Sequence, residues 1–201
     1  MFRRPMTFSR GRAIVAALIV AGCLSPLVAQ GQMAPMSQAT PKVGDQARDF
    51  TLQGLDGATV RLSDQLARGS VVLVVLRGFP GYQCPFCTRQ FGDYLTNAPK
   101  FEAASARVLF VYPGPADGLR EHAAALTTRA PLPSAFRILP DPDYAFTQAY
   151  GLRWDAPQET AYPSTFVFDR NGVVTFAQTS RSHGDRVTAA SVLKVLAGGS
   201  R

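Results

Sequence analysis

The stretch Val71-Val72-Leu73-Val74-Val75-Leu76-Arg77-Gly78-Phe79-Pro80-Gly81-Tyr82-Gln83-Cys84-Pro85-Phe86-Cys87 decides how this chain reads. Its first six residues are an unbroken apolar run, the pattern of a buried strand. A loop follows from Arg77 to Gln83, and a helical pattern runs from Cys84 to about Leu95. A CxxC pair therefore stands at a strand-to-helix junction. A thiol at a helix N-terminus faces unpaired backbone N–H groups and the positive end of the helix dipole. Both favour the thiolate, which is the nucleophile, so the pair points to reversible thiol–disulfide exchange.

Two other readings of the pair are open. A structural disulfide across so short a loop restricts the unfolded chain little and makes a weak staple. Half of a zinc site would need His122 and His183, which lie far downstream without the paired spacing of such sites. His183 otherwise reads as a loop histidine, and Asp169 and Asp185 as turn and cap residues.

Working outward, Asp49–Leu52 and Ala58–Leu62 flank Gly54-Leu55-Asp56-Gly57, a hairpin signature. Ser63 is placed to cap a short helix. After Asn97-Ala98-Pro99 interrupts the first long helix, Arg107–Tyr112 is a second apolar strand run, ended by Pro113-Gly114-Pro115. Helices are expected over about 116–126, 144–150 and 186–196, with Gly151 as a stop. Ser164–Phe168 and Val173–Ala177 flank Asn171-Gly172, a strong short hairpin signal. Such alternation predicts an α/β domain with a central mixed sheet, helices on both faces and an N-terminal hairpin.

Composition bounds the setting. With 46% hydrophobic and 17% charged residues, the chain suits a globular core and not a disordered one. The net charge is +7, but Arg3, Arg4, Arg10 and Arg12 lie in an acid-free leader, so the rest carries only +3. No basic stripe interleaved with aromatics is present, which argues against nucleic acid. Those arginines precede the apolar run Ala13–Val20, which is short for a membrane span and has the plan of an export signal. It ends in Val20-Ala21-Gly22-Cys23, which resembles a bacterial lipoprotein box. The organisation expected is a lipoprotein-type signal over 1–22, a flexible tether over 23–42 and one domain over 43–201. Cys23 would carry lipid and hold the protein at the periplasmic side of the cell envelope, where disulfides persist. No cofactor is implied.

The domain from about Val43 to Leu196 resembles the thioredoxin fold in its peroxiredoxin-like branch, the alkyl hydroperoxide reductase/thiol-specific antioxidant group. The carriers are Arg77-Gly78-Phe79-Pro80, the cysteine pair, Asp141–Gly151 and Ala161–Gly172. The resemblance implies that Cys84 is exposed and attacks and that Cys87 resolves. Phe86, Tyr162 and Pro163 would meet the substrate chain, with Pro163 in the cis form. Partners would be protein thiols or disulfides, or a thiol reductant with peroxide. Peroxide-reducing members place Pro-x-x-x-Thr/Ser-x-x-Cys over Pro80–Cys87, which would make Cys87 the peroxidatic residue and Cys84 the resolving one. Cys84 then stands where Thr or Ser is usual, and Pro163 where those members have an activating arginine; Arg77 and Arg89 are candidate substitutes. A further class is copper delivery by paired cysteines and a histidine, since thiolates suit Cu(I).

Overall fold

The computed structural model describes residues 39–128 and 131–198. The expected signal segment and Cys23 lie outside these residues, as does most of the tether. Strands β1 (Thr51–Gln53) and β2 (Thr59–Arg61) form the antiparallel hairpin read from the sequence. Gly57 takes a positive φ of 79° in its turn. Helix α1 spans Leu62–Leu66. Its N-cap is Arg61 and not Ser63. Ser63 bonds through its backbone N–H and its hydroxyl to the Asp49 carboxylate, which ties the helix to the hairpin.

The apolar run becomes β3 (Ser70–Val75), followed by α2 (Pro85–Thr96). After Asn97 the chain re-enters a helix, α3 (Ala98–Ala103), because Pro99 lies in its first turn where no N–H is needed. Strand β4 (Ala106–Gly114) continues through Pro113 and Gly114, past the stop expected there. Next come α4 (Leu119–Ala124), a 3-10 turn over Ala125–Thr127, and β5 (Phe136–Pro142). Pro140 and Pro142 are tolerated because β5 is an edge strand. The chain ends with α5 (Ala145–Ala149), the hairpin β6 (Ser164–Phe168) and β7 (Val174–Thr179), and α6 (Ala189–Gly198). Gly151, with φ +66°, stops the α5 segment as expected.

The main sheet has the order β5-β4-β3-β6-β7. β3 pairs parallel with β4 and antiparallel with β6, so the sheet is mixed. Alternate residues of β3 feed two cores. Val72 and Val74 pack with Phe91, Tyr94, Phe101, Phe110 and Phe136. Val71, Leu73 and Val75 pack with Phe146, Tyr150, Phe166 and Phe168 on the other face. On the first face, Phe91 and Phe110 meet edge-on at 4.9 Å, and Tyr94 stacks on Phe101 at 5.4 Å. Burying each such ring is worth roughly 1.5–3 kcal/mol. Both cysteines belong to this aromatic face.

Two backbone features set the loop between β3 and α2. Gly78 has φ +72°, and a Cβ there would lie 1.9 Å from the Pro113 carbonyl oxygen. The Phe79 N–H donates to that same oxygen at 2.9 Å. The loop thus grips the end of β4 at a distance only glycine allows, and it delivers Cys84 to the start of α2.

Candidate active site

Cys84 is the N-cap residue of α2, with extended φ/ψ of −68° and 118°. Its carbonyl accepts the Thr88 N–H at 3.1 Å, closing the first helical turn. Cys87 lies one turn in. Both are free thiols, 1% and 0% exposed. The first cysteine is therefore covered, contrary to the expectation of an exposed one, because it packs within the aromatic core face.

The two sulfurs occupy unequal environments. A hydrogen bond from the Cys87 side chain leads the causes that bring the Cys84 thiol down to about 5. Burial opposes this, while the N–H groups of Cys87 and Phe86 and the positive charge of Arg186 assist. These are the orphan donors of a helix N-terminus, used as an anion cradle. Donating to Cys84 pushes the Cys87 thiol well up, and burial and the Cys84 charge add to this. The two thiols titrate as a pair, with the first proton lost at low pH and held back from the second.

The walls come from several elements. Tyr112, from β4, donates to Gln83 Oε1 at 2.7 Å, and burial with the nearby thiols raises its phenol. Arg77, 2% exposed, does not serve the thiols. Its Nε donates to Glu159 Oε2 at 2.7 Å, and its other nitrogens donate to the Tyr82 hydroxyl and the Gln158 carbonyl, both at 2.6 Å. Glu159 Oε1 also meets His183 Nε2 at 2.8 Å. Burial pushes the Glu159 carboxyl up, but the bonds and charges of Arg77 and His183 hold it below the usual range. Arg89 lies over the Phe86 ring at 5.8 Å. The positive charge of Arg186 favours both thiolates as a lesser influence beside the hydrogen bonds and burial, and sequence reasoning did not single it out. An arginine preceding a C-terminal helix carries no local signal of where its side chain goes.

Phe86 is 36% exposed and Tyr82 46%, so two aromatic side chains flank the buried pair at the surface. Phe86 also borders a cavity of about 290 Å³ shared with Arg89, Gln90 and Arg186. Pro163 is buried and lines a crevice with Gln90 and Arg186. Its expected cis form is not found, since no peptide bond among the described residues is cis. As a trans residue it precedes β6, where its missing N–H costs no ladder bond, and its carbonyl accepts the Ser180 N–H at 2.8 Å. Tyr162 stacks on Trp154 at 4.8 Å, with Arg181 over its ring at 5.4 Å. His122 stacks on Phe79 at 3.5 Å. Among the described residues, no three His, Cys, Asp or Glu side chains gather as a metal site.

Fold and site together define a thioredoxin-fold protein with a dithiol at a helix N-terminus. Residues 43–177 match the AhpC/TSA family. A Mycobacterium tuberculosis protein assigned to the peroxiredoxins is 31% identical over 151 residues, covering 73% of this chain and 88% of its own. The chain belongs to the AhpC/TSA family and is a peroxiredoxin-like oxidoreductase. Among solved structures, peroxidoxin BcpB from M. tuberculosis superposes with a TM-score of 0.61 at 23% identity, over 80% of this chain and 99% of that one. A Chlorobium tepidum protein assigned as the thiol:disulfide interchange protein DsbE superposes with a TM-score of 0.57 at 25% identity, over 78% and 99%.

Proposed function

We propose that the chain is an exported thiol–disulfide oxidoreductase in which Cys84 attacks and Cys87 resolves. The observation that carries this reading is the placement of the pair: Cys84 is the N-cap of α2 and Cys87 lies one turn in, which favours the thiolate at Cys84 and the thiol at Cys87. The Cys84 thiolate attacks a substrate disulfide, forming a mixed disulfide and releasing one substrate thiolate. Cys87 then loses its proton and attacks the Cys84 sulfur, which closes the Cys84–Cys87 disulfide and releases the second thiolate. Two electrons pass to the substrate, and the reverse sequence oxidises it. Exposed Tyr82 and Phe86 beside the pair give a partner polypeptide an apolar contact. The likeness to the DsbE-type structure supports a disulfide substrate. The leader supports an envelope location with lipid on Cys23.

Family membership favours a second reading, a thiol-dependent peroxidase. The attacking sulfur would cleave the peroxide O–O bond, becoming a sulfenic acid and releasing an alcohol or water. The other thiol would condense with it to the disulfide and water, and a thiol donor would restore the pair. Burial does not separate the two sulfurs, but the raised thiol at Cys87 weighs against Cys87 as the peroxidatic residue.

Insulin-disulfide reduction, peroxide consumption with a thiol donor and Cu(I) binding, each measured for wild type, Cys84→Ser and Cys87→Ser, separate these readings. We expect insulin reduction to vanish in Cys84→Ser, and a trapped mixed disulfide on Cys84 in Cys87→Ser. Fast peroxide turnover that survives Cys84→Ser but not Cys87→Ser would sink the assignment. Stoichiometric copper without redox turnover would sink both enzyme readings. For the anchor, Cys23→Ala should move the protein from the membrane to the soluble fraction; a wild-type protein already soluble refutes lipidation.

A further inference from the structure

A cavity of about 290 Å³ lies between α2 and the segment leading into α6, with Phe86 on its wall. Phe86 directly precedes Cys87, whose Cα is about 3.8 Å further along the chain, so the cavity borders the redox pair. Small-ligand sites run from roughly 300 to 1,000 Å³, so this one suits a group of side-chain size. A Cβ on Gly184 would lie 3.6 Å from Phe86 Cε1, so the glycine leaves open the space beside the ring. The two walls are held together. Gln90 Nε2 and the Tyr94 hydroxyl both donate to the Val187 carbonyl, at 3.2 and 3.4 Å.

The walls carry an excess of positive charge. From α2 come Arg89 and Asp93, and from the facing segment comes Arg186. Asp93 is engaged elsewhere: Oδ2 accepts the Ala189 N–H at 2.7 Å and Oδ1 accepts Asn97 Nδ2 at 3.3 Å. Arg186 Nε donates to the His183 carbonyl at 2.7 Å, and its two terminal nitrogens are buried without a hydrogen-bond partner among the described residues. Its charge therefore reaches the cavity through space and not by contact. Arg89 is exposed and lies over the Phe86 ring at 5.8 Å, with no ion pair among the described residues. Its guanidinium is free to turn onto a ligand. Two cations and one acid match a monoanion, and the planar fork of a guanidinium matches a carboxylate.

We propose that this cavity is a substrate subsite for the carboxylate of a small thiol or disulfide compound, with Arg89 as the residue that closes on it. Phe86 gives the carbon chain of that compound an apolar wall, and the carboxylate sits in the field of Arg89 and Arg186. The proposal rests on the dithiol reading above in taking the pair as the reacting group. In that reaction the Cys84 thiolate attacks one sulfur of the compound and releases the other half as a thiolate. Cys87 then gives up its proton, attacks Cys84 and releases the second half, so two electrons pass from the pair to the compound.

The test oxidises the reduced full chain with dithiodipropionate and with cystamine, which carries ammonium groups in place of the carboxylates. The ratio of the two rates is compared between proteins, so that the intrinsic reactivity of each compound cancels. Arg89→Met should lower the ratio about tenfold, the worth of about one charge-assisted hydrogen bond. Arg89→Lys should keep most of it. Arg68→Met removes an equal charge before β3, at the end of the strand away from the dithiol, and should keep the wild-type ratio. A wild-type ratio in Arg89→Met overturns the proposal, as does an equal fall in Arg68→Met, which would mean general attraction to a basic protein. Binding is read separately by NMR in a Cys84→Ser, Cys87→Ser double variant of the full chain. Dithiodipropionate should move the Gly184 and Thr188 amide signals, and cystamine should not. Signals that stay fixed, or that move equally with both compounds, overturn the proposal. If neither compound oxidises the wild-type pair, the dithiol reading fails, and the NMR result alone decides the subsite.

Discussion

Cys84 and Cys87 are chemically the same residue three positions apart, and the fold makes them opposites. The helix N-terminal N–H groups and the Cys87 thiol all point their hydrogens at Cys84. Iodoacetamide should therefore alkylate Cys84 with a rate that falls about tenfold per pH unit below about 5 and is flat above about 6. A midpoint near the ordinary thiol value of 9 would refute this. The same shift fixes a sign for stability. The first proton leaves the folded pair near 5 but an unfolded cysteine near 9. That stabilisation is fully present above the unfolded value and is lost as pH falls through the folded one. The reduced wild type should gain stability over Cys84→Ser as pH rises from about 5 towards 9. Thermal melts at several pH values check this, and a constant difference between the two proteins would contradict it.

At the scale of elements, the site is assembled where four pieces meet: the end of β3, the loop gripping β4, the start of α2 and the segment before α6. Asp93 joins two of these by accepting the first N–H of α6 from the side of α2, a helix cap supplied by another helix. Asp93→Ala should cost about 1 kcal/mol, within the range of lost N-caps, read from urea unfolding. Gly78 joins two others. Alanine there would place its Cβ against the Pro113 carbonyl and strain a positive φ, so Gly78→Ala should cost several times more than Asp93→Ala and slow Cys84 alkylation. A Gly78→Ala protein with unchanged stability would show that the loop is free to move off β4. Glu159 forms a third junction, between Arg77 and His183. Glu159→Ala leaves a buried guanidinium short of its partner and should cost roughly 3 kcal/mol.

For the whole molecule, one mixed sheet separates two cores, and the chemistry lies on the aromatic one. The reactive pair is thus built into a buried core and not onto a loose surface loop. Phe101, fully buried against Tyr94 and Phe136, is a test of that packing. Phe101→Ala should cost about 3–5 kcal/mol, the range for emptying a buried aromatic site. A loss under about 1 kcal/mol would mean that the core collapses to fill the space.

Much of this was legible in local pattern. The uninterrupted run Val71–Leu76, the two glycine-marked hairpins and the CxxC before a helix are short-range signals, and each appears in the structure within a few residues. They sufficed for an α/β domain and for the position of the dithiol at a helix N-terminus. The errors came where long-range partners override local rules. Ser63 serves Asp49 and not a helix cap, β4 runs through its proline because Phe79 and β5 pair with it, and Pro163 stays trans at the mouth of β6. Arg77, a candidate to activate the thiols, is occupied by Glu159, whereas Arg186, about a hundred residues beyond Cys84, brings its charge to bear on the pair. The sequence by itself determined which residue types carry the chemistry and where the strand hands over to the helix, because hydrophobic period and turn residues are local. How far the two sulfurs differ, and which arginines are occupied elsewhere, was decided by tertiary structure, because burial, dipoles and charges act through space and not along the chain.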